Sequence, residues 1–381
     1  MYSVRYSLVR QQGFADTTQS TGRHAKERQI LDYTNQQYRL FKQLCTAYAF
    51  IFTGKTIGDT FQRVMAEMNA GGAAVELPAL HGTSAGLKAL CTFEGASGLE
   101  DLRKCCGGHG VLLASGIGPM ALDYVTYNTA EGDMIILELQ AARYLMKTLD
   151  EAKIGVKATG LTSYLNDYND DLSAALTTSA TTTEDFQDVE LLKLLMRNRA
   201  LVAVLEASEK LNDCLARKMS LDDSWNDCAV DLVRCSRLHC YYMLFSTFSQ
   251  QVASDPAVSS ILRTMCITYG LMNIAEDLGS FEFTRKQKQM IRNALSKNMP
   301  ILRNDAAALV DAFEFSDNIL NSAIGKYDGR VYEALFQSAL ESPLNKVDPF
   351  LGYQEYLRPI LDLEFIQEHA TMQRTDNKSK L

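Results

Sequence analysis

Residues 97–147 read SGLEDLRKCCGGHGVLLASGIGPMALDYVTYNTAEGDMIILELQAARYLMK, and this stretch decides the fold. Its cluster Gly107-Gly108-His109-Gly110 sets three small residues beside one ring. A dinucleotide fingerprint needs a strand ahead of such a cluster, and DLRKCC is not a strand. The same glycines also suit an ordinary tight turn between helices. Beyond Gly132, Leu137, Leu139 and Leu145 return at helical spacing. No part of the chain shows convincing strand alternation or an internal repeat, so the expected fold class is all-α.

Working outward, residues 1–10 carry Val4, Leu8, Arg5 and Arg10 in the manner of a helix, and residues 11–29 read as a polar loop. A long amphipathic helix begins at Ile30, with Leu31, Tyr38, Phe41, Leu44, Tyr48 and Ile51 near a 3.6-residue period. Gly71-Gly72 and Pro78 lead to a helix over 80–93, which Gly95 and Gly98 close, and a further helix carries Leu99 to Cys105. The first 150 residues therefore read as a helical bundle. Between Asp167 and Asp188 the composition shifts to Asp, Ser and Thr, the mark of a connection. A second run follows on Leu191, Leu194, Leu195, Leu201, Val204, Leu205, Leu211 and Leu215, and a late stripe on Tyr332, Leu335, Phe336, Ala339 and Leu340. These boundaries divide the chain into a bundle over 1–155, a connection over 156–188, a second helical domain over 189–370 and a polar tail over 371–381.

With 381 residues, 46% of them hydrophobic, and 7 prolines, the chain can bury a large core. A net charge of -8 argues against nucleic acid as a partner, because phosphate binding needs a basic face. The nine cysteines are scattered and odd in number, and the opening MYSVRYSLVR is too polar for a signal peptide, so a reduced intracellular setting is expected. No apolar run approaches the roughly 18 residues of a membrane span. A soluble protein is the expectation.

Two motifs invite other chemistry. Gly82-Thr83-Ser84-Ala85-Gly86 fits the GxSxG elbow of hydrolases, but it sits in helical sequence, where small residues serve packing. Cys228, Cys235, His239 and Cys240 offer metal-binding atoms without the paired C-x₂₋₄-C knuckles of structural zinc, so buried core cysteines are expected instead.

The blocks CCGGHG, AEGD and LQAARYLMK resemble those of the peroxisomal acyl-CoA oxidases, which read ACGGHG, FEGEN and LQTARFLMK. The similarity runs from Val4 almost to the end and is densest over 308–336 and in SPLNK at 342–346. It implies an acyl-CoA dehydrogenase-type C-terminal helical bundle followed by a second oxidase C-terminal helical domain. In the family, an N-terminal helical domain and a β-barrel domain precede the corresponding point. By resemblance, Glu131 is the catalytic base, which takes the α-proton of an acyl thioester while a hydride leaves the β-carbon for FAD. Burial in an apolar pocket is what would tune such a carboxylate. The resemblance further assigns FAD contacts to Arg10, Gln36, Gln37, Tyr38, Arg39 and Asp133, and a close cofactor approach to Gly107 and Gly108. Arg10 and Arg39 suit a pyrophosphate by charge. Where the family has FEGEN, this chain reads Ala130-Glu131-Gly132-Asp133-Met134.

The resemblance implies a homodimer that shares the flavin site and a fatty acyl-CoA substrate. Ser379-Lys380-Leu381 form an SKL address for the peroxisomal import receptor, which implies the peroxisomal matrix. The alternative is a non-catalytic all-α relative that keeps the dimer-forming scaffold.

Overall fold

The computed structural model describes residues 1–14, 27–169, 174–254, 260–362 and 367. The tail over 371–381, including Ser379, Lys380 and Leu381, lies outside the described residues, as does part of the 156–188 connection. The helices, in order, are α1 (Tyr2–Val9), α2 (Thr34–Asn69), α3 (Leu77–Lys104), α4 (Ile117–Tyr124), α5 (Met134–Lys153), α6 (Val189–Ala216) and α7 (Leu221–Asp227). They continue as α8 (Ala229–Ser254), α9 (Ser260–Glu276), α10 (Arg285–Asp311), α11 (Asp317–Leu320), α12 (Val331–Glu341) and α13 (Arg358–Leu361). The all-α class holds, with one local exception. Part of the expected 11–29 loop is a short antiparallel pair, β1 (Gln11–Phe14) with β2 (Glu27–Gln29).

Why α5 forms is plain from its residues. The Asp133 side chain accepts from the backbone N–H groups of Ile135 and Ile136 and so satisfies donors that the first turn leaves open. Ala141, Ala142, Leu145, Met146 and Leu149 then recur on one face and are buried. Burying each of the two leucines contributes about 1.5–3 kcal/mol relative to exposure. That face packs on α3 and α8, and α8 packs in turn on α6, α2 and α9. A single apolar cluster runs from Val4 to Val310 across these helices, so both helical regions share one core.

The expected break near residue 95 is absent, because α3 runs unbroken from Leu77 to Lys104. Gly95 and Gly98 are there for close approach. A Cβ on Gly95 would lie 2.5 Å from the Tyr124 hydroxyl, and one on Gly98 would lie 2.3 Å from the Gln43 side chain. The GxSxG segment behaves likewise: Gly82 takes the Tyr144 ring, Gly86 takes Cys240 and Ala141, and the Ser84 hydroxyl donates to the His81 carbonyl of its own helix. No nucleophile elbow exists there.

The late stripe also differs from expectation. On α12, Tyr332, Phe336 and Leu340 are exposed, and of the expected stripe Leu335 alone leans on a small second cluster, which holds Val331 from the first turn of the helix. That cluster joins Tyr2 and Tyr6 of α1 to Cys106, Ile117, Leu320, Ile324 and Val331. Buried Arg5 secures the joint by pairing with Asp311 at 2.7 Å and donating to the Gly325 carbonyl at 2.8 Å.

Cys228, Cys235, His239 and Cys240 are all buried. The His239 ring meets the Tyr164 hydroxyl at 2.9 Å, and burial lowers its pKa to about 4, which keeps it neutral. Among the described residues, no helix is long and apolar enough to cross a membrane.

Candidate functional site

Where α1 ends, the chain passes into β1 beside the start of α2, and the turn after α3 closes against both. The space between them is an open cleft of about 680 Å³, lined by Tyr6, Arg10, Gln36, Lys104, Gly107, Gly108 and His109 among others. Four residues expected to hold a cofactor therefore converge: Arg10, Gln36, Gly107 and Gly108.

Each is placed by a local cause. Gln36 donates to the Ser7 hydroxyl at 3.1 Å and to the Cys105 carbonyl at 2.8 Å, bridging α1 and the end of α3. Gly107 has φ +57°, a conformation that favours glycine. A Cβ on Gly107 or Gly108 would meet nothing within 4 Å, so backbone lies open there to an approaching group. Gly110 has the opposite role, since a Cβ there would lie 2.1 Å from the Arg103 carbonyl oxygen. The His109 Nδ1 meets the Tyr6 hydroxyl at 2.8 Å with the rings edge-on, which fixes the imidazole at the cleft wall. Arg10 donates to Gln12 at 2.8 Å, and its hydrogen bond to the Tyr332 hydroxyl raises its pKa further. Lys104 adds a second cation and Asn35 an amide. Burial pushes the neighbouring thiols up, Cys105 to about 12 and Cys106 to about 11, so both stay protonated and inert near neutral pH.

Other expected contacts lie elsewhere. Gln37 is buried and donates to the Leu31 carbonyl at 2.9 Å. Tyr38 packs against the main core. The Arg39 guanidinium grips Asp101 through Nε at 3.0 Å and Nη2 at 2.5 Å. Asp133 is occupied as the cap of α5. None of these four lines the cleft. Lys104, His109 and Asn35 were not expected; for the first two, a basic residue and a ring beside the glycine cluster were the available signal.

Glu131 occupies the loop between α4 and α5, with φ +57°. It is exposed rather than enclosed, and it does not line the cleft. Its segment presents open apolar side chains: Leu122, Val125, Tyr127 and Ile136 are each 48–75% exposed. Among the described residues, the buried carboxylate is Glu138, one turn into α5. Burial raises its pKa, while Arg237 opposes that rise through hydrogen bonds of 2.6 and 3.1 Å. That pairing makes Glu138 a structural acid.

Comparison with known proteins matches both helical regions to one family. The model described as "Acyl-CoA oxidase, C-alpha1 domain" matches residues 1–146, and that described as "Acyl-CoA oxidase" matches 188–362. The chain is 37% identical over 365 residues to peroxisomal acyl-coenzyme A oxidase 1 of Rattus norvegicus, covering 94% of this chain and 54% of the relative. Among solved structures it is similar to acyl-CoA oxidase 1 of Arabidopsis thaliana, with a TM-score of 0.85 and 34% identity, covering 95% of this chain and 54% of that one. It is also similar to acyl-CoA oxidase-2 of Caenorhabditis elegans, solved with FAD, ascaroside-CoA and ATP, with a TM-score of 0.84 and 31% identity over 97% and 53%. The chain thus spans about half the length of the curated relatives it matches. With two family models over its helical regions and a shared fold over nearly its whole length, the chain belongs to the acyl-CoA oxidase family.

Proposed function

We propose that this chain forms the C-terminal helical part of a peroxisomal enzyme that converts a fatty acyl-CoA to a trans-2-enoyl-CoA while O₂ is reduced to H₂O₂. Residues 1–155 form the bundle bearing the base and 189–370 the second helical domain. Two copies share the flavin site, and Ser379-Lys380-Leu381 present the import address. The observation that carries the reading is the cleft in which Arg10, Gln36, Gly107 and Gly108 converge. Its fit to FAD is testable on the structure itself: two cations and an amide face open glycine backbone, the donor set that a pyrophosphate accepts from. Bound FAD would supply the acceptor for the β-hydride and pass the electron pair to oxygen.

The chain's own residues have two tasks. Arg10 and Lys104, on a wall that Gln36 braces through Ser7 and Cys105, hold and orient the anionic part of the cofactor, and Glu131 takes the proton from the carbon next to the thioester carbonyl. Proton and hydride leave adjacent carbons, so the demand is one of relative position. The rival reading, a non-catalytic scaffold of the same family, draws on the exposure of Glu131.

Titrating FAD into the purified chain and following its fluorescence tests the cleft. Saturable binding is expected, weakened about tenfold or more by Gly108→Val, whose Cβ would meet nothing within 4 Å, and by Arg10→Ala. Equal affinity in all three proteins, or no binding to any, contradicts the assignment.

A further inference from the structure

Lys88 lies mid-way along α3, half-buried, facing the loop that carries Glu131. Its ammonium donates to the Tyr127 carbonyl and to the Gly132 carbonyl, each at 2.7 Å. Those two carbonyls bracket residues 128–131. The loop between them is strained: Glu131 has φ +57° and Gly132 has φ +118°. For a non-glycine residue the left-handed region costs on the order of 1–2 kcal/mol and persists only where the surroundings over-determine it.

The loop's other hydrogen bonds among the described residues are local. Thr126 accepts from the backbone N–H of Thr129 and Ala130, and Asp133 caps the helix that follows. These bonds shape the two ends of the loop but do not tie it to the rest of the bundle. Lys88 supplies that tie. A tetrahedral ammonium suits two carbonyls that diverge from one point, and hydrogen bonds from a charged donor are the stronger kind.

We propose that Lys88 is a positioning residue, which holds the Glu131 loop in its left-handed turn and so aims the carboxyl at the substrate. This rests on the reading of Glu131 as the base. Lys88 acts through the backbone on either side of Glu131. The sequence carries no sign of the role, because 39 residues separate Lys88 from Tyr127 and 44 from Gly132.

The test uses the full chain as Lys88→Met, Lys88→Arg and Glu131→Gln. Amide hydrogen exchange over 128–133 should quicken in Lys88→Met while the interiors of α3 and α5 keep their protection, and Lys88→Arg should restore most of it. With FAD present, the rate at which a fatty acyl-CoA bleaches the flavin without oxygen should fall about 10- to 100-fold in Lys88→Met, at unchanged acyl-CoA affinity, with partial rescue by Lys88→Arg. Exchange that quickens throughout α3, or bleaching at the parent rate, overturns the proposal. Should Lys88→Met not fold, Lys88→Arg must still show intermediate exchange in the loop and an intermediate rate; parent values for both contradict the tie. If Glu131→Gln bleaches normally, it is the base assignment that fails, whatever Lys88 does.

Discussion

Replacing Arg237 by Met probes the electrostatics that join the two helical regions. Glu138 on α5 has 1% of its side chain exposed, and its partner Arg237 on α8 has 30%. The guanidinium makes two hydrogen bonds to the carboxylate and lies 5.2 Å from the centre of the Phe93 ring. Methionine keeps the unbranched stem over that ring but leaves the carboxylate unpaired. Removing one partner of a buried pair costs about 3–5 kcal/mol; since Arg237 is partly open to water, about 2–3 kcal/mol is expected here. With an unfolding entropy of roughly 2.1 cal/mol/K per residue over 381 residues sharing one core, each kcal/mol is worth about 1.3 °C, so the melting temperature falls by about 2–4 °C.

The sign of the pH dependence follows from the raised pKa of Glu138. A carboxyl whose folded pKa lies above its unfolded value favours folding when protonated, and this contribution is lost as pH climbs through the folded pKa. Without Arg237 the folded pKa rises further. The penalty of Arg237→Met therefore grows from mildly acidic to slightly alkaline pH and shrinks once the carboxyl is protonated in both states. Adding Glu138→Gln to Arg237→Met should recover much of the loss. Thermal unfolding followed by far-ultraviolet circular dichroism across this range measures both. A penalty that is flat with pH, or a double variant no more stable than Arg237→Met, refutes the assignment of a buried charge pair.

Two further outcomes follow from the geometry. Gly95→Ala sets a Cβ against the Tyr124 hydroxyl and should cost about 1–3 kcal/mol, despite the better helix propensity of alanine, as read by urea unfolding; a stabilised variant would show that Gly95 is not a contact glycine. Asp133→Ala removes the cap of α5 and should cost about 1 kcal/mol in the same assay, with no change in FAD affinity; weakened FAD binding would instead make Asp133 a cofactor contact.

The helices were legible where apolar residues recur over many turns, as on α2, α5 and α6. What misled was residue type without its partner. Gly95 and Gly98 look like helix ends because the sequence does not reveal that Tyr124 and Gln43 press against them. Gln36, Gln37, Tyr38 and Arg39 were expected to act together, but successive helix residues point about 100° apart, so one face cannot hold all four. Gln36 meets the cleft, Gln37 and Tyr38 turn inward, and Arg39 finds Asp101, 62 positions away. The glycine cluster was readable because a missing Cβ is a property of the residues themselves, although the sequence does not reveal that Gly107 and Gly108 lie open while Gly110 is packed against Arg103. The surroundings of Glu131 were not, since exposure depends on what packs against the loop. The stripe on α12 met the same limit: its period is helical, but no helix among the described residues buries Tyr332, Phe336 and Leu340.

The proposed task of Glu131 is to remove a proton from an acyl thioester. The direct measurement mixes the FAD-loaded protein with a fatty acyl-CoA in the absence of oxygen and follows the visible absorbance of the flavin. Bleaching by the parent protein that Glu131→Gln abolishes, while acyl-CoA still binds, is the predicted result. Bleaching that persists in Glu131→Gln, or its absence in both proteins with FAD and acyl-CoA bound, would contradict it.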